Sequence, residues 1–379
     1  MLTSLMIKNF RLFKELKIKG LSNVNLFVGK NSVGKSCLLE SLLIYANNAN
    51  PLTLFEVVSS RDALWQDAGK NLESDEELVN LENPLRNLFF NYHFPDSSEA
   101  LEIGPLDDPQ NRIKIYLKSF QLKETEDGSL LRLPIDYPQD SSQSKSLYNI
   151  KYGLELDDGV ETTFLVELVD DRRRFLRNVN IKRKDQRCKN CYVPTNNISV
   201  SRVVELWDNI NLSDLEKEVI RCLRIVEPRV DRIAFIGESF DSRYRTEVRI
   251  PVVRCSGVNE RVPLKSLGDG MNRLFHISLA LVNSASGFLI VDEIENGLHW
   301  SIQPKLWELI FKLSAKLKVQ VFATTHSMDC VRAYYSVWKE FERKGSFYRL
   351  EKDESCGVFP FQYDCDMLRA SLNSNTEMR

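Results

Sequence analysis

The 379-residue chain has no excess of either charge: 51 Lys and Arg against 53 Asp and Glu leave a formal net charge of −2. No molecule-wide basic field draws in nucleic acid, so any such contact must come from a local patch. The chain also lacks an apolar run fit to cross a membrane, which takes about 18 or more residues. One stretch without formal charge, residues 274–291, is broken by His276, Ser278, Asn283, Ser284, Ser286 and Gly287. It reads as a helix, a loop and a strand of a buried α/β layer. The first residues have no charged start followed by an apolar core and a small-residue cleavage site, so a cytoplasmic protein without a membrane partner is expected. Eight cysteines do not make a disulfide scaffold in a chain of this size. Cys188-x-x-Cys191 supplies two of the four ligands that structural zinc takes, and Cys356 with Cys365 lacks the spacing to complete the set. Buried thiols are the preferred reading, with zinc left open. Internal repeats and heptad runs long enough for a coiled-coil arm are missing too.

What is present is the composition of a globular protein, 43% hydrophobic and 27% charged, ample for a sizeable core in two or three lobes. Strands are read at residues 5–10, 16–19 and 24–28, then a helix over about 35–46 with Leu38, Leu39, Leu42 and Leu43 on one stripe. Residues 50–95 read as mixed and partly helical, with an acidic helix start at 74–77. Strand patterns follow at 113–117, 148–152 and 163–168, and the polar run 138–145 reads as a mobile loop. Ser213-Asp214-Leu215-Glu216 forms a capping box. Strands at 232–236 and 247–250 precede a last third that alternates helix and strand.

Gly29-Lys30-Asn31-Ser32-Val33-Gly34-Lys35-Ser36 fits G-x-x-x-x-G-K-[ST] at every fixed position, between an apolar strand and an amphipathic helix. The glycines let backbone N–H groups converge on phosphate oxygens, and the helix N-terminus adds partial positive charge. Lys35 is placed to neutralise β and γ phosphates, and Ser36 to hold Mg²⁺ through its hydroxyl. The apolar strand 287–291 closes on Asp292 and Glu293. Asp292 is expected in the Mg²⁺ shell. Glu293, facing the other way along the pleat, can take a proton from an attacking water. A second buried strand, 319–325, ends at His326, within reach of a γ-phosphate or its water. Gly268-Asp269-Gly270 opens the helix after 266–267, and its glycines bare the backbone at a second anion-binding helix end. One chain has no evident use for two such ends, whereas a head-to-tail dimer does.

These residues resemble the ABC-type ATPases of the SMC, Rad50, RecF and OLD group. The Asn9-Phe10-Arg11-Leu12-Phe13 opening, the Walker A motif at 29–36, a degenerate signature at 266–271, Walker B at 288–293, the D-loop-like Glu295-Asn296-Gly297-Leu298-His299 and the switch histidine His326 carry the resemblance. It implies an α/β P-loop NTPase of ABC type: a mixed sheet with helices on both faces and an inserted α+β region. The expected division is an ATPase lobe in two parts (1–49 and 192–335), an insertion (50–191) and a C-terminal tail (336–379). It further implies ATP and Mg²⁺, Arg11 and Cys37 near the nucleotide, Glu293 as catalytic glutamate and ATP-driven homodimerisation or higher assembly. Gly268-Asp269-Gly270 departs from the usual serine-glycine-glycine run, and no Q-loop glutamine is placed.

The insertion is too short for a long coiled coil, and 53 residues after His326 are too few for the TOPRIM nuclease domain of OLD proteins. A nuclease or toxin effector is therefore expected as a separate chain, as in phage-defence systems such as Septu and PARIS, whose ATPase subunits this chain resembles. Arg172, Arg173, Arg174, Arg177, Lys182, Arg183, Lys184, Arg187 and Lys189 form a basic segment that either tracks a DNA backbone or is a solvated surface. The leading expectation is an ATP-driven sensor or clamp that regulates an effector. The alternatives are a RecF-like DNA repair clamp without effector and a transporter nucleotide-binding subunit.

Overall fold

Strand β3 (Val24–Val28) is buried at every residue, as are β13 (Phe288–Val291) and β14 (Gln320–Thr324). Such runs suit parallel strands covered on both faces. The computed structural model, which describes residues 1–61, 83–125, 130–134, 150–168, 186–238, 248–258, 260–341, 344–353 and 357–374, places them in one six-stranded sheet. Its order is β16 (Gly357–Tyr363), β15 (Gly345–Asp353), β3, β14, β13 and β9 (Asn190–Val193). All neighbours run parallel except β16, which is antiparallel to β15. The carboxyl ends of β3, β14 and β13 therefore lie side by side, and the three motifs sit on them.

A second, antiparallel sheet has the order β2 (Phe13–Lys19), β1 (Ser4–Phe10), β4 (Ala100–Gly104), β5 (Ile113–Glu124), β7 (Ile150–Asp157), β8 (Thr162–Glu167), with β6 (Leu130–Pro134) also on β5. Helix α1 (Lys35–Ala46) packs on β13 and β14 on one side and β4 on the other, so it lies between the two sheets. Phe27, Phe288, Ile290, Phe322, Tyr348 and Leu350 turn toward this layer. The alternate residues Leu26, Val28, Leu289, Val291, Val321 and Ala323 turn to the opposite core, with α5 (Asp269–Asn283), α6 (Gln303–Leu317) and α7 (Met328–Trp338). Helices α3 (Val200–Asp208) and α4 (Asp214–Leu223) and the small sheet β10 (Val230–Glu238), β11 (Val248–Cys255), β12 (Val262–Pro263) complete that side. Helices α2 (Pro51–Ser59) and α8 (Cys365–Asn373) pack on α1 and α7.

The α/β architecture matches the sequence reading. Two of its expected boundaries do not follow the sheets. β1 is hydrogen-bonded to β4, with Met6 opposite Gly104, so the first segment and the expected insertion share one sheet. Within the segment expected as a C-terminal tail, β15 pairs along β3 with Phe347 opposite Leu26. Both strands offer a backbone edge that must find partners, and distant segments supply them. The capping box is shifted: the Ser213 hydroxyl accepts the Leu215 N–H at 3.2 Å, while Glu216 accepts the N–H of Leu212 rather than Ser213, at 2.9 Å. The expected helix start at 74–77 and the polar run 138–145 lie outside the described residues. No described helix is long and apolar enough to cross a membrane.

Candidate active site

The loop after β3 needs its glycines for two different reasons. Gly29 has φ 147°, and a Cβ there would sit 2.5 Å from the carbonyl of Leu350 on β15. Gly34 caps α1 with φ 103°, and a Cβ there would meet the Phe13 ring at 2.8 Å. Lys30, Asn31 and Ser32 are exposed, whereas Val33 is buried and anchors the loop. Helix α1 has no side-chain cap among the described residues and no acid in its first turn, so its first N–H groups and its dipole stay available to an anion.

Lys35 folds back into the loop and donates to the carbonyls of Gly29 at 2.5 Å and Lys30 at 2.9 Å. Burial pushes its amine down to about 8, against the opposing pull of Asp292, Glu293 and Glu295. The loop lysine and the acidic strand end are thus electrostatic neighbours. Ser36 is half-buried beside it. Cys37 is buried, and burial raises its thiol to about 11, so only its main chain suits a phosphate contact.

The acidic end of β13 is tied by four hydrogen bonds to the end of β14 and the turn after it. The Thr324 hydroxyl donates to Asp292 Oδ1 at 2.6 Å and accepts the Glu293 N–H at 2.9 Å. The Ile294 N–H donates to the Thr324 carbonyl at 3.0 Å, and the His326 N–H to Glu295 Oε1 at 2.9 Å. Asp292 is buried at 7% exposure. Glu293 does not follow the expected pleat. The strand ends at Val291 and Glu293 takes φ 48°, a left-handed backbone that non-glycine residues seldom adopt and that clusters at functional sites. Its carboxylate Oε1 lies 3.4 Å from His326 Nε2, and both side chains are about one-third exposed, at 35% and 34%.

Arg273, a residue to which the sequence reading gave no role, joins this end of the sheet to α5. Its side chain is buried at 1% exposure. It donates to the carbonyls of Asp292 at 2.5 Å, Glu293 at 3.0 Å and Pro194 at 2.6 Å, and to Asn197 Oδ1 at 3.1 Å. The signal in the sequence was an arginine on the helix that opens the long uncharged stretch. Thr324 had only its place before His326 to mark it.

Other expected residues are placed differently. The Arg11 guanidinium is buried beneath α1, 3.1 Å from Glu40 Oε2, and donates to the Val57 carbonyl at 3.0 Å. It braces the phosphate-loop helix from inside, because a buried charge must keep a partner. Gly268 is exposed with open space around it among the described residues, but Gly270 is packed, its Cβ position 2.8 Å from the Gly297 carbonyl. The bared backbone expected at both glycines is found at Gly268, and exposed Asp269 starts the helix. Cys188 and Cys191 are free thiols, and no group of three metal-ligating side chains occurs among the described residues. Of the basic segment, residues 172–184 lie outside the described residues; Arg187 stacks over Tyr45 at 4.8 Å and donates to the Asn111 carbonyl at 2.7 Å.

A phosphate loop, an acidic strand end and a histidine on three adjacent parallel strands define a P-loop ATPase. The chain belongs to the AAA ATPase domain family, whose model matches residues 1–221 and 177–331. It is 22% identical over 386 residues, covering 96% of this chain and 95% of the relative, to an ATP/GTP phosphatase of Helicobacter pylori. Among solved structures it is similar to an SMC head bound to the C-winged helix domain of ScpA (TM-score 0.48, 12% identity, covering 96% of this chain and 97% of that one). It is also similar to the SMC head domain from Thermotoga maritima (TM-score 0.41, 13% identity, 96% and 99% covered). The protein is an ATPase.

Proposed function

We propose that the protein is an ATP-switched sensor: ATP closes a head-to-tail homodimer, the closed form engages a separate effector such as a nuclease or toxin in DNA-linked phage defence, and hydrolysis resets it. The observation that carries the dimer is the open space at Gly268. This bare helix end lies at the same end of the parallel sheet as the phosphate loop, to which Arg273 ties its helix. A second copy's nucleotide phosphates are its natural complement. The effector and the defence setting rest on the resemblance to stand-alone ATPase subunits.

In this reading Lys35 leaves the Gly29 and Lys30 carbonyls to meet the β and γ phosphates, while the N–H groups of α1 receive their oxygens. The buried Asp292 and the hydroxyl of Ser36 fit a hard, oxygen-liganded ion, and Mg²⁺ held there would supply neutralising charge to the phosphates. Glu293 takes the proton of the attacking water, and His326, 3.4 Å away, orients that carboxylate. Turnover is slow because the parts are complete only on closure. Glu293→Gln is expected to keep ATP binding, lose turnover by about 10²-fold or more, and sediment as a dimer with ATP and a monomer without. A variant that stays monomeric with saturating ATP overturns the dimer.

A further inference from the structure

We infer that Glu295 is a positioning residue that sets His326 for ATP hydrolysis. This deepens the ATPase reading and rests on it. At the turn after β14, two successive main-chain N–H groups go to side chains instead of a neighbouring strand. The Ser327 N–H is taken by Thr325 Oγ1 at 3.0 Å, and the His326 N–H by Glu295 Oε1 at 2.9 Å. The loop after β13 therefore grips the histidine twice: Glu295 holds its main chain, and Glu293 faces its ring at 3.4 Å. Ile294, between the two glutamates, is bonded to the Thr324 carbonyl at 3.0 Å, which fixes their spacing to the histidine strand. A carboxylate acceptor makes a stronger bond to a backbone N–H than a neutral group does.

The second oxygen of Glu295 argues that its place is not settled by folding alone. Oε2 is buried and has no hydrogen-bond partner among the described residues. A buried acceptor left unpaired costs stability, and one acceptor is all that a backbone anchor needs. Glu295 also stands first among the carboxylates that oppose the burial of Arg273, and it acts on Lys35. It thus holds the histidine by a hydrogen bond and acts by charge on the phosphate-loop lysine and on the arginine that holds the acidic strand end. Displacing His326 by a fraction of an ångström would spoil its alignment with Glu293, and misplacements near 1 Å cost about 10²-fold in rate.

The test uses full-length protein labelled with ¹⁵N-histidine, which carries four histidines; the His326 amide is assigned from the peak lost in His326→Gln. In Glu295→Ala that amide should lose its downfield shift and its protection from exchange, with kcat down roughly 10- to 100-fold and the KM for ATP changed less than about threefold. Glu295→Gln keeps an acceptor and should restore the amide and bring kcat within about fivefold of wild type. Should the alanine variant fail to fold, Glu295→Asp, one methylene short of His326, takes its place with the same expected loss. Wild-type kcat in the alanine or aspartate variant overturns the proposal, as does a glutamine variant no better than either. Absence of turnover in the wild type would sink the ATPase reading instead, while the amide measured without ATP still decides whether Glu295 holds His326.

Discussion

The Thr324 hydroxyl bridges Asp292 and Glu293, donating to the carboxylate of the first at 2.6 Å and accepting the main-chain N–H of the second at 2.9 Å. Fully buried at the end of β14, it fixes one rotamer of the aspartate and the left-handed turn of the glutamate together. Thr324→Val keeps the shape and removes the hydroxyl, leaving a buried acceptor and donor unpaired. A stability loss of about 1–3 kcal/mol by urea unfolding and a fall in kcat of roughly 10- to 100-fold are expected. Thr324→Ser should recover most of both. A valine variant with wild-type turnover would show that Asp292 is oriented without it.

Lys35 gives a pH signature. Burial holds its amine at about 8, below the ordinary 10.5. Charged burial therefore costs stability below pH 8, and that cost fades as pH rises toward 10.5. Phosphates favour the charged form, so ATP binding above pH 8 must take up a proton. Titration calorimetry at pH 8.5 in two buffers of different ionisation enthalpy should report uptake of up to about 0.8 proton, with affinity falling as pH rises. Lys35→Met should abolish the uptake, and equal heats in both buffers for the wild type would contradict it.

The phosphate loop, the acidic strand end and the histidine strand were legible because each is a short local pattern: an apolar run that ends in a defined polar tip. The partners of β1 and β3 were not. β4 reaches β1 across about a hundred residues (Met6 opposite Gly104) and β15 reaches β3 across more than three hundred (Phe347 opposite Leu26), with no local cue that names the partner. The surroundings of Arg11 were hidden for a related reason. Its motif position fits a nucleotide contact, but only the fold reveals that Glu40 and the Val57 carbonyl claim its guanidinium.

Arg273 ties α5 to the acidic strand end through the Asp292 and Glu293 carbonyls, and to the loop after β9 through the Pro194 carbonyl and Asn197 Oδ1. Burial lowers it only to about 10, so it stays charged at neutral pH. A lysine cannot span the planar fork that reaches Pro194, Asp292 and Glu293 at once. Arg273→Lys should cost about 2–4 kcal/mol through the acceptors it strands, and lower kcat as the Asp292 and Glu293 carbonyls relax. Unchanged thermal unfolding in this variant would show that the carbonyls find other donors.

His276 makes α5 sensitive to acid. Its Nδ1 accepts the Ile198 N–H at 3.0 Å, and the ring is buried at 6% exposure. Burial, aided by the nearby Arg273 charge, lowers its pKa from 6.5 to about 4. The unfolded chain thus binds a proton at higher pH than the folded one. The neutral ring's contribution is fully present above pH 6.5 and is lost as pH falls toward 4, by up to about 3 kcal/mol. His276→Gln keeps an acceptor without the titration, so its stability should drop less than that of wild type between pH 7.5 and 4.5 in urea unfolding. Since both proteins carry the same carboxylates and the same three other histidines, the difference between their two losses isolates His276. Parallel losses would mean that Ile198 and α5 accommodate the charged ring.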